Sequence, residues 1–195
     1  MQRPQTDSSQ RHDGPGLADF RVLLAPGLHG SGPEHWQSRW ERIYPEFERV
    51  EQTHWDRPDL PAWSQRLQQV LQRNAQPTII VAHSFGCLAT AHLAASLPDA
   101  GVIAAALLVA PADPEKFQVT VMLQHALPFP SLLVGSSNDP WMSAAQARHW
   151  AGVWRSQFVL VGALGHINAE SGLGDWMAGQ DMLMSLLEKS DDKKR

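Results

Sequence analysis

One cysteine in 195 residues, no apolar run long enough to cross a bilayer and no cluster of basic residues are what first sets this chain apart. The lone thiol, Cys87, excludes an internal disulfide, so packing is its expected job and a reducing cytoplasm the expected compartment. Basic residues are scattered and the formal charge is −4, which leaves no electrostatic footprint for nucleic acid. No membrane partner is expected either, because a spanning helix takes about 20 consecutive apolar residues. The first nineteen residues are polar and lack an apolar h-region, so they do not read as a secretory signal; residues 1–19 are expected to form a disordered leader. Neither G-x-G-x-x-G nor G-x-x-x-x-G-K-S/T occurs, which argues against phosphate binding in the glycine-rich stretch at residues 26–33. No Cys, His or carboxylate cluster joins His29 and His35 to complete a ligand set. Neither a metal nor a cofactor is therefore expected, and no internal repeat is visible.

What is present centres on residues 78–86, T-I-I-V-A-H-S-F-G. The run Thr78-Ile79-Ile80-Val81 is apolar and β-branched, the pattern of a strand buried on both faces of a parallel sheet. From Ser84 onward Cys87, Leu88, Ala91, Ala94 and Ala95 recur at helical spacing among small residues. A strand thus turns into a helix at a serine, the context of the G-x-S-x-G nucleophile elbow, in which a strained turn lifts the hydroxyl clear of the sheet. Ala82 stands where that pattern has its first glycine, and Gly86 keeps the second. A serine among small residues is common in strand-to-helix connections, so the rest of the chain has to supply its partners.

Further strands are expected at residues 20–25, 47–50, 102–110, 131–135 and 157–161. Helices are expected from Glu34, with Pro33 suited to the first turn, and at residues 61–71, 143–150 and 175–187. Residues 115–128 read either as a short helix or as a minimal cap. This alternation predicts an α/β fold with a mostly parallel central sheet, helices on both faces and no room for a lid domain. One domain is expected over residues 20–188, followed by a charged tail at 189–195. Of the eight tryptophans, Trp36, Trp40 and Trp63 fall at helix-face spacing and read as core, whereas Trp141 can wall a pocket.

Functional sites of such sheets lie beyond the carboxyl ends of the strands, and every candidate sits in such a loop. Ser84, Asp139 and His166 follow the α/β-hydrolase order of nucleophile, acid and histidine. A serine hydroxyl needs a base within hydrogen-bond reach, and that base needs a carboxylate to fix its tautomer. Asp113 also follows an apolar strand and is an alternative acid, but it leaves the sheet one strand earlier than the loop that usually carries the acid. Leu28, just after a Pro-Gly turn, is the candidate donor of an oxyanion N–H. His83 is expected to point away from Ser84 into the packing below, a structural role shared by His35; His29 can touch substrate.

The motifs P-G-L-H-G-S-G-P-E-H-W, A-H-S-F-G, S-N-D-P-W and G-H-I-N, in that order in strand-exit loops, resemble the small serine hydrolases related to retinoblastoma-binding protein nine, the YdeN-type family. The likeness spans residues 21–187 and departs from the family at Ala82. It implies a compact α/β-hydrolase fold, Ser84 as nucleophile, Asp139 as acid, His166 as base, and the backbone N–H groups of Leu28 and Phe85 as oxyanion hole. The expected activity is cleavage of small carboxylic esters or amides through an acyl-enzyme, with His29 and Trp141 against the substrate. An interaction module that keeps the fold without using it, and acyl transfer instead of hydrolysis, are the alternatives; an intact set of nucleophile, base, acid and oxyanion loop argues for the enzyme.

Overall fold

The computed structural model describes residues 16–97 and 102–192. Residues 1–15 of the expected leader and 193–195 of the expected tail lie outside the described residues. In chain order the elements are β1 (Arg21–Ala25), α1 (Trp36–Ile43), β2 (Glu48–Arg49), α2 (Leu60–Leu71), β3 (Thr78–His83), α3 (Phe85–Ala94), β4 (Ile103–Val109), β5 (Ser131–Gly135), α4 (Ala144–Trp154), β6 (Gln157–Leu160) and α5 (Met177–Asp192). Among the described residues the strands form one sheet, β2-β1-β3-β4-β5-β6, in which every neighbouring pair is parallel.

Alternation along β3 shows why the sheet holds. Ile80 and Ala82 face a core shared with α2, α3 and α4, while Ile79 and Val81 face a second core shared with α1 and α5. All six residues of β3 are buried, which is why its middle, Ile79 to Ala82, reads as an unbroken apolar run. In the second core, the Trp36 ring lies 4.9 Å from the rings of both Trp40 and Trp176. The indole N–H of Trp36 donates to the Ile167 carbonyl and that of Trp40 to the Asp175 carbonyl, both at 2.8 Å. These indoles therefore fill the core and also tie down a loop 131 residues further along the chain, and truncating one to alanine costs about 3–5 kcal/mol.

Several elements depart from the expected bounds, α4 among them, which runs on to Trp154 where the sequence suggested an end at 150. The first helix begins at Trp36, because His35 is extended and caps it, its Nδ1 accepting from the Gln37 N–H at 3.2 Å. Pro33 thus belongs to the preceding turn, which the His35 N–H closes onto the Gly32 carbonyl. Residues 115–128 form turns and a 3-10 segment, Thr120–Leu123, tied to the sheet layer where the Trp154 indole donates to the Leu123 carbonyl at 3.1 Å. At the amino end, Leu17–Asp19 forms a 3-10 turn, and Leu17 packs on the second core, so residues 16–19 do not belong to a disordered leader. Helix α5 runs on to Asp192, carrying helical backbone into the expected tail.

From β1 the chain passes to β2 on one side, and β3 then starts the march to the other. The crevice between the carboxyl ends of β1 and β3 is therefore the switch point at which such sheets place their ligands.

Candidate active site

At that switch point β3 ends at His83 and α3 begins at Phe85, leaving Ser84 to make the whole turn at φ 52° and ψ −119°. A non-glycine residue with positive φ is strained and persists only where its surroundings over-determine it. Here the Ser84 N–H donates to the Val109 carbonyl at 3.1 Å. Crowding explains the glycines on either side. A Cβ at position 27 would lie 2.6 Å from that of Ser84, and one at position 86 would lie 2.6 Å from the Pro26 carbonyl oxygen. Ala82 is fully buried and keeps a negative φ, so this turn does not need the glycine that the motif usually has there.

Ser84 meets two side chains from distant loops. His166 Nε2 lies 2.9 Å from Ser84 Oγ, and His166 Nδ1 lies 2.8 and 3.0 Å from the two carboxyl oxygens of Asp139. A carboxylate can only accept, so Nδ1 carries the proton and Nε2 presents its lone pair to the serine hydroxyl. Asp139, whose side chain is 2% exposed, is held in turn by the Trp141 N–H at 2.9 Å. Among the described residues no carboxylate other than Asp139 is hydrogen-bonded to His166; Asp113 instead accepts from the Glu115 N–H at 3.0 Å.

The loop after β1 crosses in front of Ser84. The His29 N–H is taken by the Trp55 carbonyl at 2.8 Å and the Gly30 N–H by the Gly27 carbonyl at 3.1 Å. The N–H groups of Leu28 and Phe85 have no such acceptor among the described residues, which leaves two donors free beside Ser84. Ser31 anchors the loop from behind. Its carbonyl accepts from Ser38 Oγ at 2.5 Å and from Arg49 at 3.1 Å, and its hydroxyl donates to Gln37 Oε1 at 2.6 Å.

A cavity of about 560 Å³ opens over Ser84 and His166, within the range of small-molecule sites. His29 and the 58% exposed Trp141 line it, as do Leu28, Asp113 and two residues that the sequence did not single out, Lys116 and Phe117. Lys116 donates to the Trp141 carbonyl at 2.7 Å across the opening. Its place in the irregular stretch after β4 left no periodic signal. Ser136 and Asn138 were also missed. They accept from the Leu164 and Gly165 N–H groups at 2.9 and 2.7 Å, and the polar cluster beside Asp139 was their visible trace.

Below the cavity, burial holds His35 down to about 3 and His83 well below the usual histidine range, so both rings stay neutral. Strand alternation turns His83 toward His35 and Trp36 at the α1 side, but it also lines the cavity beside Ser84 and His166, so it is not the purely packed residue the sequence led one to expect. Its reach is longer than mere packing, since its Nε2 lies 2.9 Å from the His166 carbonyl. Burial pushes the Cys87 thiol up and leaves it to packing. Among the described residues, no group of three or more His, Cys, Asp or Glu side chains is gathered as a metal site.

A family model described as serine hydrolase matches residues 22–185. A structure described as a YdeN-like hydrolase from Pectobacterium atrosepticum is 41% identical, with 89% of this chain and 93% of that one covered at a TM-score of 0.84. The ydeN gene product of B. subtilis is 18% identical over 86% and 98% of the two chains, TM-score 0.71. Est1E from Butyrivibrio proteoclasticus is 14% identical over 84% and 86%, TM-score 0.60. These last two share the fold. Among curated proteins, none matches this chain significantly.

Proposed function

The chain belongs to the serine hydrolase family, and on that premise we propose that it cleaves small carboxylic esters or amides through an acyl-enzyme formed on Ser84. One observation carries this reading: the unbroken hydrogen-bond chain from Ser84 Oγ through His166 to Asp139, facing a cavity of substrate size. In the first step Ser84 Oγ attacks the carbonyl carbon while His166 Nε2 takes the hydroxyl proton. Asp139 stabilises the imidazolium that results. The carbonyl oxygen, now negative, is received by the Leu28 and Phe85 N–H groups, donors of a kind worth about 10²–10³-fold in rate each. His166 then hands its proton to the departing alcohol or amine. Water, deprotonated by the same Nε2, then attacks the acyl carbon, the bond to Ser84 Oγ breaks with release of the carboxylic acid, and His166 returns the proton to the serine.

The partner is a small molecule, with no call for a cofactor. A module that only bound other proteins would have no reason to keep both Leu28 and Phe85 N–H groups vacant beside an aligned serine and histidine. Ser84→Ala tests the reading. Turnover of a p-nitrophenyl ester is expected to fall by roughly a million-fold, as when other triad nucleophiles are removed. Undiminished turnover by a folded variant contradicts it.

A further inference from the structure

Three consecutive residues around the base are each held by a side chain from a different part of the chain. Gly165 donates its N–H to Asn138 Oδ1 at 2.7 Å, the His166 carbonyl lies 2.9 Å from His83 Nε2, and the Ile167 carbonyl accepts from the Trp36 indole at 2.8 Å. The loop needs such holding, because Gly165 and Ile167 both have positive φ, at 57° and 47°. Ile167 in particular is β-branched, for which that conformation is strained. Of the three anchors, only His83 adjoins Ser84 in the chain.

Resting on the catalytic reading above, we infer that His83 is a positioning residue: its Nε2–H grips the His166 backbone and so sets the imidazole's place relative to Ser84. A carbonyl can only accept, so His83 Nε2 carries the proton. His83 is 5% exposed, and its ring stands edge to face with that of His166 at 5.0 Å between centroids. The link closes a short circuit. One end of the serine–histidine pair is the 2.9 Å bond between side chains, and the other runs through the peptide bond from Ser84 back to His83 and on to the His166 carbonyl. A loop free to drift would carry the imidazole out of line, and a displacement of about 1 Å can cost on the order of 10²-fold in rate. Burial keeps the His83 ring neutral, so it adds no charge opposing the imidazolium that forms beside it.

Three substitutions separate gripping from filling. His83→Gln puts an amide N–H where Nε2 stands, His83→Asn puts one where Nδ1 stands, and His83→Phe fills the space with no donor. For p-nitrophenyl butyrate, kcat should fall about 10–100-fold in the Phe and Asn variants with KM little changed, and Gln should recover most of it. A readout independent of turnover is the low-field proton NMR signal of His166 Nδ1–H. It should stay sharp in wild type and in the Gln variant and broaden in the other two. If the Phe variant fails to fold, Gln against Asn decides. Wild-type kcat and an unchanged signal in the Phe variant overturn the inference, as does a Gln variant as impaired as Asn. Ser84→Ala, assayed alongside, keeps the two claims apart: full turnover there sinks the catalytic reading, while the NMR series still judges the grip on His166.

Discussion

Ser84 holds an uncomfortable backbone because its neighbours leave it no other, and that strain is what points its hydroxyl at His166. Ser84, Asp139 and His166 were legible in the sequence because each sits in a short motif at a strand exit, where local residue types report on chemistry. The grip of His83 on His166 was not. Alternation along β3 tells which face His83 takes, but nothing local tells that a loop 83 residues later returns to that face. Between the two acids, the Nδ1 contacts of His166 favour Asp139 over Asp113. Asp139→Asn is accordingly expected to lower kcat by about ten-thousand-fold, the loss that follows a wrongly held histidine tautomer. Asp113→Asn should stay close to wild type. Steady-state kinetics of the two purified variants decide it, and the reverse ranking would pair His166 with the earlier strand.

Helix α1 shows how an element can be right in kind and wrong in its start. Pro33 and Glu34 carry the usual signals of a first turn, yet the buried imidazole of His35 supplies the cap, and histidine is not among the favoured capping residues. The stretch at 115–128 was ambiguous for a different reason: its order comes from anchors such as the Trp154 indole, not from any periodicity of its own. A cap made by a buried histidine has a consequence for stability. The folded value of His35 is about 3, below its ordinary 6.5, so between those values the unfolded chain binds the extra proton. Stability from this group is complete above pH 6.5 and is lost as pH falls toward 3, with a slope of at most about 1.4 kcal/mol per pH unit. His83 pushes the same way. In His35→Asn the amide oxygen can still accept the Gln37 N–H but does not titrate. Urea unfolding at pH 7, 6 and 5 should therefore show a shallower loss in the variant, by up to one proton's worth; an unchanged slope would mean that His35 is not the group titrating.

At the scale of the whole molecule, the alternating pattern was enough to predict an α/β fold, because a strand buried on both faces reads as an apolar run whatever its neighbours are. What the pattern could not give was the order of the strands, which places the crevice between β1 and β3, or the wall that Lys116 and Phe117 build across it. Among the described residues no helix is long and apolar enough to cross a membrane, and none forms a separate lid over the cavity. A cavity of about 560 Å³ bordered by Leu28, Phe117 and Trp141, with no lid helix among the described residues to extend it, is expected to favour short acyl groups. Butyryl esters should outpace palmitoyl esters in kcat/KM, with no rise in rate above the critical micelle concentration; the reverse ranking, or a lipase-like jump there, would contradict this. The central claim is that Ser84 is the activated nucleophile, and a fluorophosphonate probe followed by peptide mapping tests it most directly. A single adduct on Ser84, lost in Ser84→Ala and slowed in Asp139→Asn, is the expected result. An adduct on any other residue, or none at all on the folded protein, would contradict it.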